Sequence, residues 1–392
     1  MMFRAQNETG ARPAKVDALA ENTAENLAED LKALRSLPHL VQEAGYCEVY
    51  LLYGLMHLRR DALAHELAAT PPALRALIEL FGLGGAVAPD RLAPVLPSAV
   101  LRSLLRLGLL LESPSGLHCG ELTLLPFWGR MAFVPTPRRN PMAFFGDDVV
   151  GLLARLGPCA KERALNLSAG PGLAALRLAD FGTQVIAVED HDLARACIEL
   201  NAVMNGLEHR ISVFDRVTWA EKHRNQTYDQ VVANLAPMPF PQAFFLPARA
   251  AAQKTQTGNL SPTEQFLVSL PQLLAETGSA QVSGAGLGDA NGPAAIDFLD
   301  NMARQHRLNL VLTICCHTVL HADSPLLEKL AWACHSVTGQ SIENTRDRLE
   351  LHLGQLGHRH LYLFYIFASK RGETAGLSVC RHDSLGKGFW FR

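Results

Sequence analysis

Arg163-Ala-Leu-Asn-Leu-Ser-Ala-Gly-Pro-Gly-Leu-Ala-Ala-Leu-Arg-Leu-Ala-Asp-Phe-Gly-Thr-Gln-Val-Ile-Ala-Val-Glu-Asp190 reads as strand, glycine turn, helix, strand, acid. The first strand is expected over 164–167, a turn of small residues over 168–172, and a helix over 173–180. A second strand is expected over 184–188, with Glu189 at its carboxyl end. Glycines let the backbone come close to a ligand, and a helix amino terminus offers free N–H groups. An acid about 20 residues past such a turn suits a ribose diol. The stretch therefore implies an adenosine-containing cofactor.

Downstream the strand–helix alternation continues. A helix over 193–205 is stopped by Gly206, and a third strand over 211–214 ends at Asp215. A fourth strand over 228–234 precedes a segment, 235–260, rich in Pro, Ala and Gln and read as a mobile active-site loop. A helix over 264–275 is expected to break near Pro271, and a fifth strand covers 279–284. A helix over 293–305, a sixth strand over 308–314, helices over 326–337 and 342–356, and a closing strand over 360–368 complete the series. Such alternation predicts one open α/β sheet with helices on both faces.

Upstream the character changes. Residues 1–17 are polar and expected to be disordered; Leu19, Leu27, Leu31 and Leu34 give residues 18–36 the pattern of one amphipathic helix. Residues 37–137 hold short helical segments, then a hairpin turning at 113–116, an order that resembles a winged helix. The segment in the recognition-helix position, 98–107, carries only Arg102 and Arg106 as cations. Reading DNA needs base-edge donors and phosphate contacts, so packing, homodimerisation or a substrate lid is the better expectation for this unit.

Composition excludes several classes. The 392 residues are 48% hydrophobic and 19% charged, with formal net charge −2, which gives no broad nucleic-acid footprint. No stretch has the roughly 20 apolar residues of a membrane span, and residues 1–15 lack a signal-peptide core, so a cytoplasmic protein without membrane partner is expected. Eight cysteines show no Cys-x-x-Cys pair. Cys315-Cys316-His317 ends an apolar run, where Cys acts as a small hydrophobe, and no metal is expected.

Gly170-Pro-Gly-Leu-Ala-Ala175 matches the dinucleotide fingerprint, a weak signal by itself. Four features in order say more. Asn166-Leu-Ser-Ala-Gly-Pro-Gly172 resembles motif I of class I S-adenosylmethionine (SAM)-dependent methyltransferases, with Asn166 in the acid's place and Ser168 in the first glycine's. Residues 188–206 look like the family's ribose acid and the helix after it; Asp215 falls where the family contacts adenine; 229–237 look like its Asn-Pro-Pro-Tyr/Phe motif. In the last, Leu235-Ala236 replaces the prolines and the aromatic moves to Phe240. The 37–137 unit resembles a bacterial subgroup of small methyltransferases with a winged-helix-like amino-terminal domain, in which a segment like Phe145-Gly-Asp-Asp148 precedes the fold.

The resemblance implies a Rossmann-like seven-stranded sheet over 138–375, behind a tail and helix (1–36) and a winged-helix-like domain (37–137), with a tail over 376–392. It implies SAM held by Asn166, Ser168, Ala169, Gly170, Gly172, Glu189, Asp190, Asp215 and Asn234. It places Asn234 as the catalytic residue, with Phe145, Asp148, Leu235, Pro237 and Phe240 against the substrate. The implied reaction is methyl transfer to a small molecule or protein side chain, including at nitrogen. A nucleic-acid base methyltransferase and a non-catalytic SAM-fold regulator are the alternatives. His191 and His317 are candidate bases on residue type alone.

Overall fold

A computed structural model describes residues 24–53, 67–136, 147–157, 162–223, 225–235, 261–324, 326–328, 330–331, 335, 341–370 and 375–382. Among these residues come first the helices α1 (Ala24–Glu43), α2 (Tyr46–Tyr53), α3 (Pro72–Leu77), α4 (Pro89–Leu92) and α5 (Ser98–Arg106). Two hairpins follow, β1 (Leu111–Ser113) with β2 (Gly116–His118), and β3 (Leu122–Phe127) with β4 (Arg130–Pro135). Then come α6 (Asp147–Arg155), β5 (Arg163–Leu167), α7 (Leu173–Asp180), β6 (Gln184–Val188), α8 (Asp192–Met204), β7 (Ile211–Phe214), α9 (Arg216–His223) and β8 (Tyr228–Asn234). The chain continues through α10 (Pro262–Leu273), β9 (Leu274–Gly288), α11 (Ile296–Gln305), β10 (Asn309–Val319), α12 (Ile342–Leu356), β11 (His360–Ser369) and β12 (Gly376–Arg381).

The main sheet has the order β12-β10-β11-β9-β8-β5-β6-β7. β6, β5, β8 and β9 pair in parallel, and β11 runs antiparallel to both β9 and β10. This is a mostly parallel, Rossmann-like α/β sheet. Among the described residues it has eight strands, where seven are expected. The eighth, β12, pairs in parallel with β10 at the sheet's edge. Four of its six residues are exposed, so it lacks the buried apolar run that marks an inner strand.

The chain topology contains a switch point. From β5 the chain passes to β6 and β7 on one side, then returns to β8 on the other side of β5. Open α/β sheets bind ligands beyond the carboxyl ends of the strands at such a switch. Those ends are Ser168 after β5 and Asn234 in β8, brought level by the pairing of Leu167 with Ala233.

By compactness the chain forms two units: Met1–Gly146 with Gly170–Asp180 and Glu189–Asp215, and Asp147–Ala169 with Phe181–Val188 and Arg216–Arg392. In the second unit, β8–β11 bury Val231, Val282, Leu312 and Phe364 against α10 and α11, while Ala285, Leu287 and Leu361 meet Leu349 and Leu353 of α12. In the first, Tyr46, Phe81 and Phe133 stack edge to face, each fully buried.

Local signals and structure diverge in the amino-terminal region. α1 runs past the expected end at residue 36 and through Pro38, because Leu34, Leu37 and Val41 are all buried on one face and outweigh the lost backbone bond. α3 continues as a π turn, Ile78–Gly82. Beyond β2 the chain is broken by a left-handed Gly120, and the stretch that follows pairs with β4. Val87 pairs with Leu117 of β2 through both backbone bonds, at 2.8 Å each. Gly116 makes this possible, since a Cβ there would lie 2.5 Å from the Val87 carbonyl. The strand expected over 279–284 lengthens to the 15 residues of β9. The expected disorder over 1–17 lies outside the described residues, as does all of the loop expected over 235–260 except Leu235.

No helix among the described residues is long and apolar enough to cross a membrane. Nor do three or more His, Cys, Asp or Glu side chains cluster to hold a metal ion among them. Cys316 is buried, and a bulge in β10 between Ile314 and Cys316 sets Cys315 out of register.

Candidate functional site

In the first unit, the glycine turn and the strand-end acid meet. Gly170 N–H donates to Glu189 Oε2 at 2.8 Å, and His191 N–H donates to Oε1 at 3.0 Å. Glu189's own N–H bonds the Phe214 carbonyl, which ties the end of β6 to β7. Its carbonyl and that of Asp190 both accept from Arg195 Nη1 at 2.9 Å. A carboxylate has about four acceptor sites, so two remain for ligand hydroxyls after the backbone bonds. Asp190 is exposed, and Asp215 lies directly after β7, half-buried.

The turn itself is left-handed at alternate residues: Ser168 at φ 50°, Gly170 at 54° and Gly172 at 88°. Ser168 thus adopts a backbone that favours glycine, a conformation uncommon for a residue with a side chain. Gly172 answers to packing: a Cβ there would lie 2.9 Å from Ile198 Cγ1 and 3.0 Å from Cγ2. Its absent side chain lets α8 press against the start of α7.

In the second unit, Ala169 N–H bonds the Val188 carbonyl at 3.1 Å, fixing the turn's first half on β6. Asn166 is wholly buried in β5; its Nδ2 reaches the Val232 carbonyl at 3.3 Å, and its Oδ1 has no partner among the described residues. Asn234, half-buried at the end of β8, pairs in register with Ser283 of β9, whose hydroxyl donates to Asn234 Oδ1. Leu235 N–H donates to the Ser283 carbonyl at 3.2 Å. The strand end carrying Asn234 and Leu235 is thereby anchored from both backbone and side chain.

Of the expected substrate residues, Asp148 falls in the first turn of α6, while Phe145, Pro237 and Phe240 lie outside the described residues. His191 precedes α8 and contributes its N–H to Glu189. His317 sits on β10, stacked on His360 at 5.6 Å and Tyr362 at 5.4 Å.

Ser283 and Asn201 were missed by sequence reasoning. Ser283 lies in a strand without motif character, and only pairing of β8 with β9 brings it to Asn234. Asn201 carried a faint signal, as one of two asparagines four residues apart before Gly206. It is completely buried and donates to the Pro171 carbonyl of the turn at 3.1 Å.

On α5, Arg106 turns inward. It binds Asp30 through Nε at 3.0 Å, Glu29 through Nη2 at 3.0 Å, and Ser103 Oγ at 3.0 Å. Half of the cationic pair expected on a recognition helix is spent on α1.

No protein-family model and no curated protein sequence matches the chain. Solved structures with a distant likeness to the chain include a SAM-dependent methyltransferase from Agrobacterium tumefaciens, at 14% identity over 64% of this chain and 70% of that one, with a TM-score of 0.36. Another is TYW2 from M. jannaschii in complex with AdoMet, at 12% identity over 64% and 87% of the two chains, TM-score 0.36. A third, the [4+2]-cyclase SpnF, matches at 14% identity over 57% and 80%, TM-score 0.33. Likeness at this level assigns neither activity nor substrate to the chain.

Proposed function

We propose that this protein is a SAM-dependent methyltransferase acting on a small molecule or a protein side chain. The observation that carries the reading is Asn234 at the end of β8, in register with Ser283 and held by its hydroxyl. An acid such as Glu189 beyond a glycine turn suits the ribose of SAM and of a dinucleotide alike, and its remaining acceptor sites are open to ribose hydroxyls. A carboxamide fixed at the end of β8 suits a methyl acceptor and is not required for hydride transfer from NAD.

In this reading Ser168, Ala169, Gly170 and Gly172 form the backbone that lies against the cofactor, Glu189 takes the ribose, and Asp190 and Asp215 flank the adenine side. Asn166 would act from beneath the turn through its buried amide. SAM, when bound, supplies a methyl carbon activated by a sulfonium. The chain's task is then to orient a nucleophile in line with it and exclude water. Asn234 serves that task at the switch point; the Ser283 hydroxyl holds its carboxamide in one orientation, and the Leu235–Ser283 backbone bond keeps the strand end from fraying. Phe145, Asp148, Leu235, Pro237 and Phe240 are the substrate-side residues of the proposal.

Calorimetry of the full chain with SAM and with NAD tests the reading. SAM binding without NAD binding is expected; the reverse overturns it. A second reading, a nucleic-acid base methyltransferase, draws on the helix–helix–hairpin order of α4, α5, β1 and β2 and on the Val87–Leu117 pairing, which suit a winged helix. Arg106's engagement with Asp30 and the near-neutral net charge weigh against it. Steeply salt-dependent RNA or DNA binding would reverse that order of preference.

A further inference from the structure

We propose that Asn201 is a positioning residue for the glycine turn, and that through it the β3–β4 hairpin holds the cofactor-binding backbone in shape. The cofactor part rests on the SAM reading above; the positioning part does not. All the residues concerned lie in the first unit.

Asn201 and Asn205 lie four residues apart on α8 and therefore on one helix face. Each pairs with both backbone groups of one residue of β4. Asn201 Oδ1 accepts from Phe133 N–H at 2.7 Å, and its Nδ2 donates to the Phe133 carbonyl at 2.9 Å. Asn205 Oδ1 accepts from Met131 N–H at 3.4 Å, and its Nδ2 donates to the Met131 carbonyl at 2.7 Å. Four helical residues rise about 6 Å and two strand residues about 6.7 Å, so the two repeats match. The two carboxamides thus act as a side-chain strand along the edge of β4. Arg130 extends the contact, donating to Asp180 Oδ1 at 2.9 Å through Nε and to the Asn205 carbonyl at 3.3 Å.

Asn201 alone among these residues also reaches the turn. The second hydrogen of its Nδ2 goes to the Pro171 carbonyl at 3.1 Å, between the two left-handed glycines 170 and 172. Both hydrogens and the oxygen of a fully buried amide are therefore used, which leaves a single rotamer that satisfies the site. Because Phe133 fixes the amide plane, the hairpin sets where Pro171, and with it Gly170, stands. Asn205 shares the first duty and lacks the second, which makes it an internal control.

The test compares Asn201→Ala and Asn205→Ala in the full-length protein, with hydrogen exchange of the 170–173 segment in the absence of cofactor and calorimetry with SAM. Asn201→Ala should speed exchange in that segment about tenfold and weaken SAM binding about tenfold; Asn205→Ala should leave both within about twofold while loosening β4. Equal effects of the two variants on the turn, or none from Asn201→Ala, would overturn the proposal. If Asn201→Ala does not fold, Asn201→Ser, with a smaller cavity, is read by the same comparison. Should the wild type bind no SAM while the exchange difference persists, the cofactor reading falls and the positioning role stands.

Discussion

Replacing Glu189 by Gln separates charge from shape at the centre of the proposed site. In the wild type, one carboxylate oxygen accepts from Gly170 N–H at 2.8 Å and the other from His191 N–H at 3.0 Å. A hydrogen bond to a charged acceptor contributes about 1.5–3 kcal/mol. Gln offers one oxygen only, so one bond survives with a neutral acceptor and the other backbone N–H faces an NH2 group. The net loss for the folded protein is about 2–4 kcal/mol, since water reaches the half-buried side chain and compensates in part. Ligand binding suffers separately: the second ribose hydroxyl also loses its acceptor and the turn loses its anchor. A hundredfold rise in the Kd for SAM, about 2.7 kcal/mol, is expected. Calorimetry with SAM reports the affinity, and thermal unfolding without ligand reports the stability. Glu189→Asp, which keeps the charge one methylene further back, should fall between wild type and Gln in both. A folded Gln variant with unchanged affinity would remove Glu189 from the site. An unchanged Tm would show that the two backbone bonds do not hold the turn.

Gly172→Ala places a Cβ 2.9 Å from a β-branched Ile198 at a φ of 88°. Left-handed strain of about 1–2 kcal/mol and overpacking of about 1–3 kcal/mol predict a loss of about 2–4 kcal/mol in denaturant unfolding; a loss below about 1 kcal/mol would refute the packing role. At the far edge of the sheet, the Asp300 carboxyl is held below its usual range by Arg304 and by the N–H of Leu377 in β12. A lowered folded value means a contribution present above the ordinary carboxylate range and lost as pH falls through the folded value. Asp300→Asn should therefore speed exchange at Leu377 at neutral pH and flatten its acid dependence; an unaltered pH profile would show that β12 is held by the ladder to β10 alone.

The sequence by itself determined the elements around the turn. Glycines, a small-residue run and the stop at Gly206 are local signals, and the helices and strands between Arg163 and Phe214 stand within a residue or so of where those signals put them. Glu189 was legible for the same reason, as an acid at a fixed interval from the turn. Tertiary structure alone decided what each group does. The edge strand β12 exists because the distant strand β10 pairs with it, and it carries no strong periodic pattern of its own. Gly172 is read from sequence as cofactor backbone, while its missing Cβ makes room for Ile198. Asn201 reaches a backbone 68 residues away and Ser283 a side chain 49 residues away. Hydrogen bonds of that span are set by strand order and helix packing, which no local pattern of residues specifies.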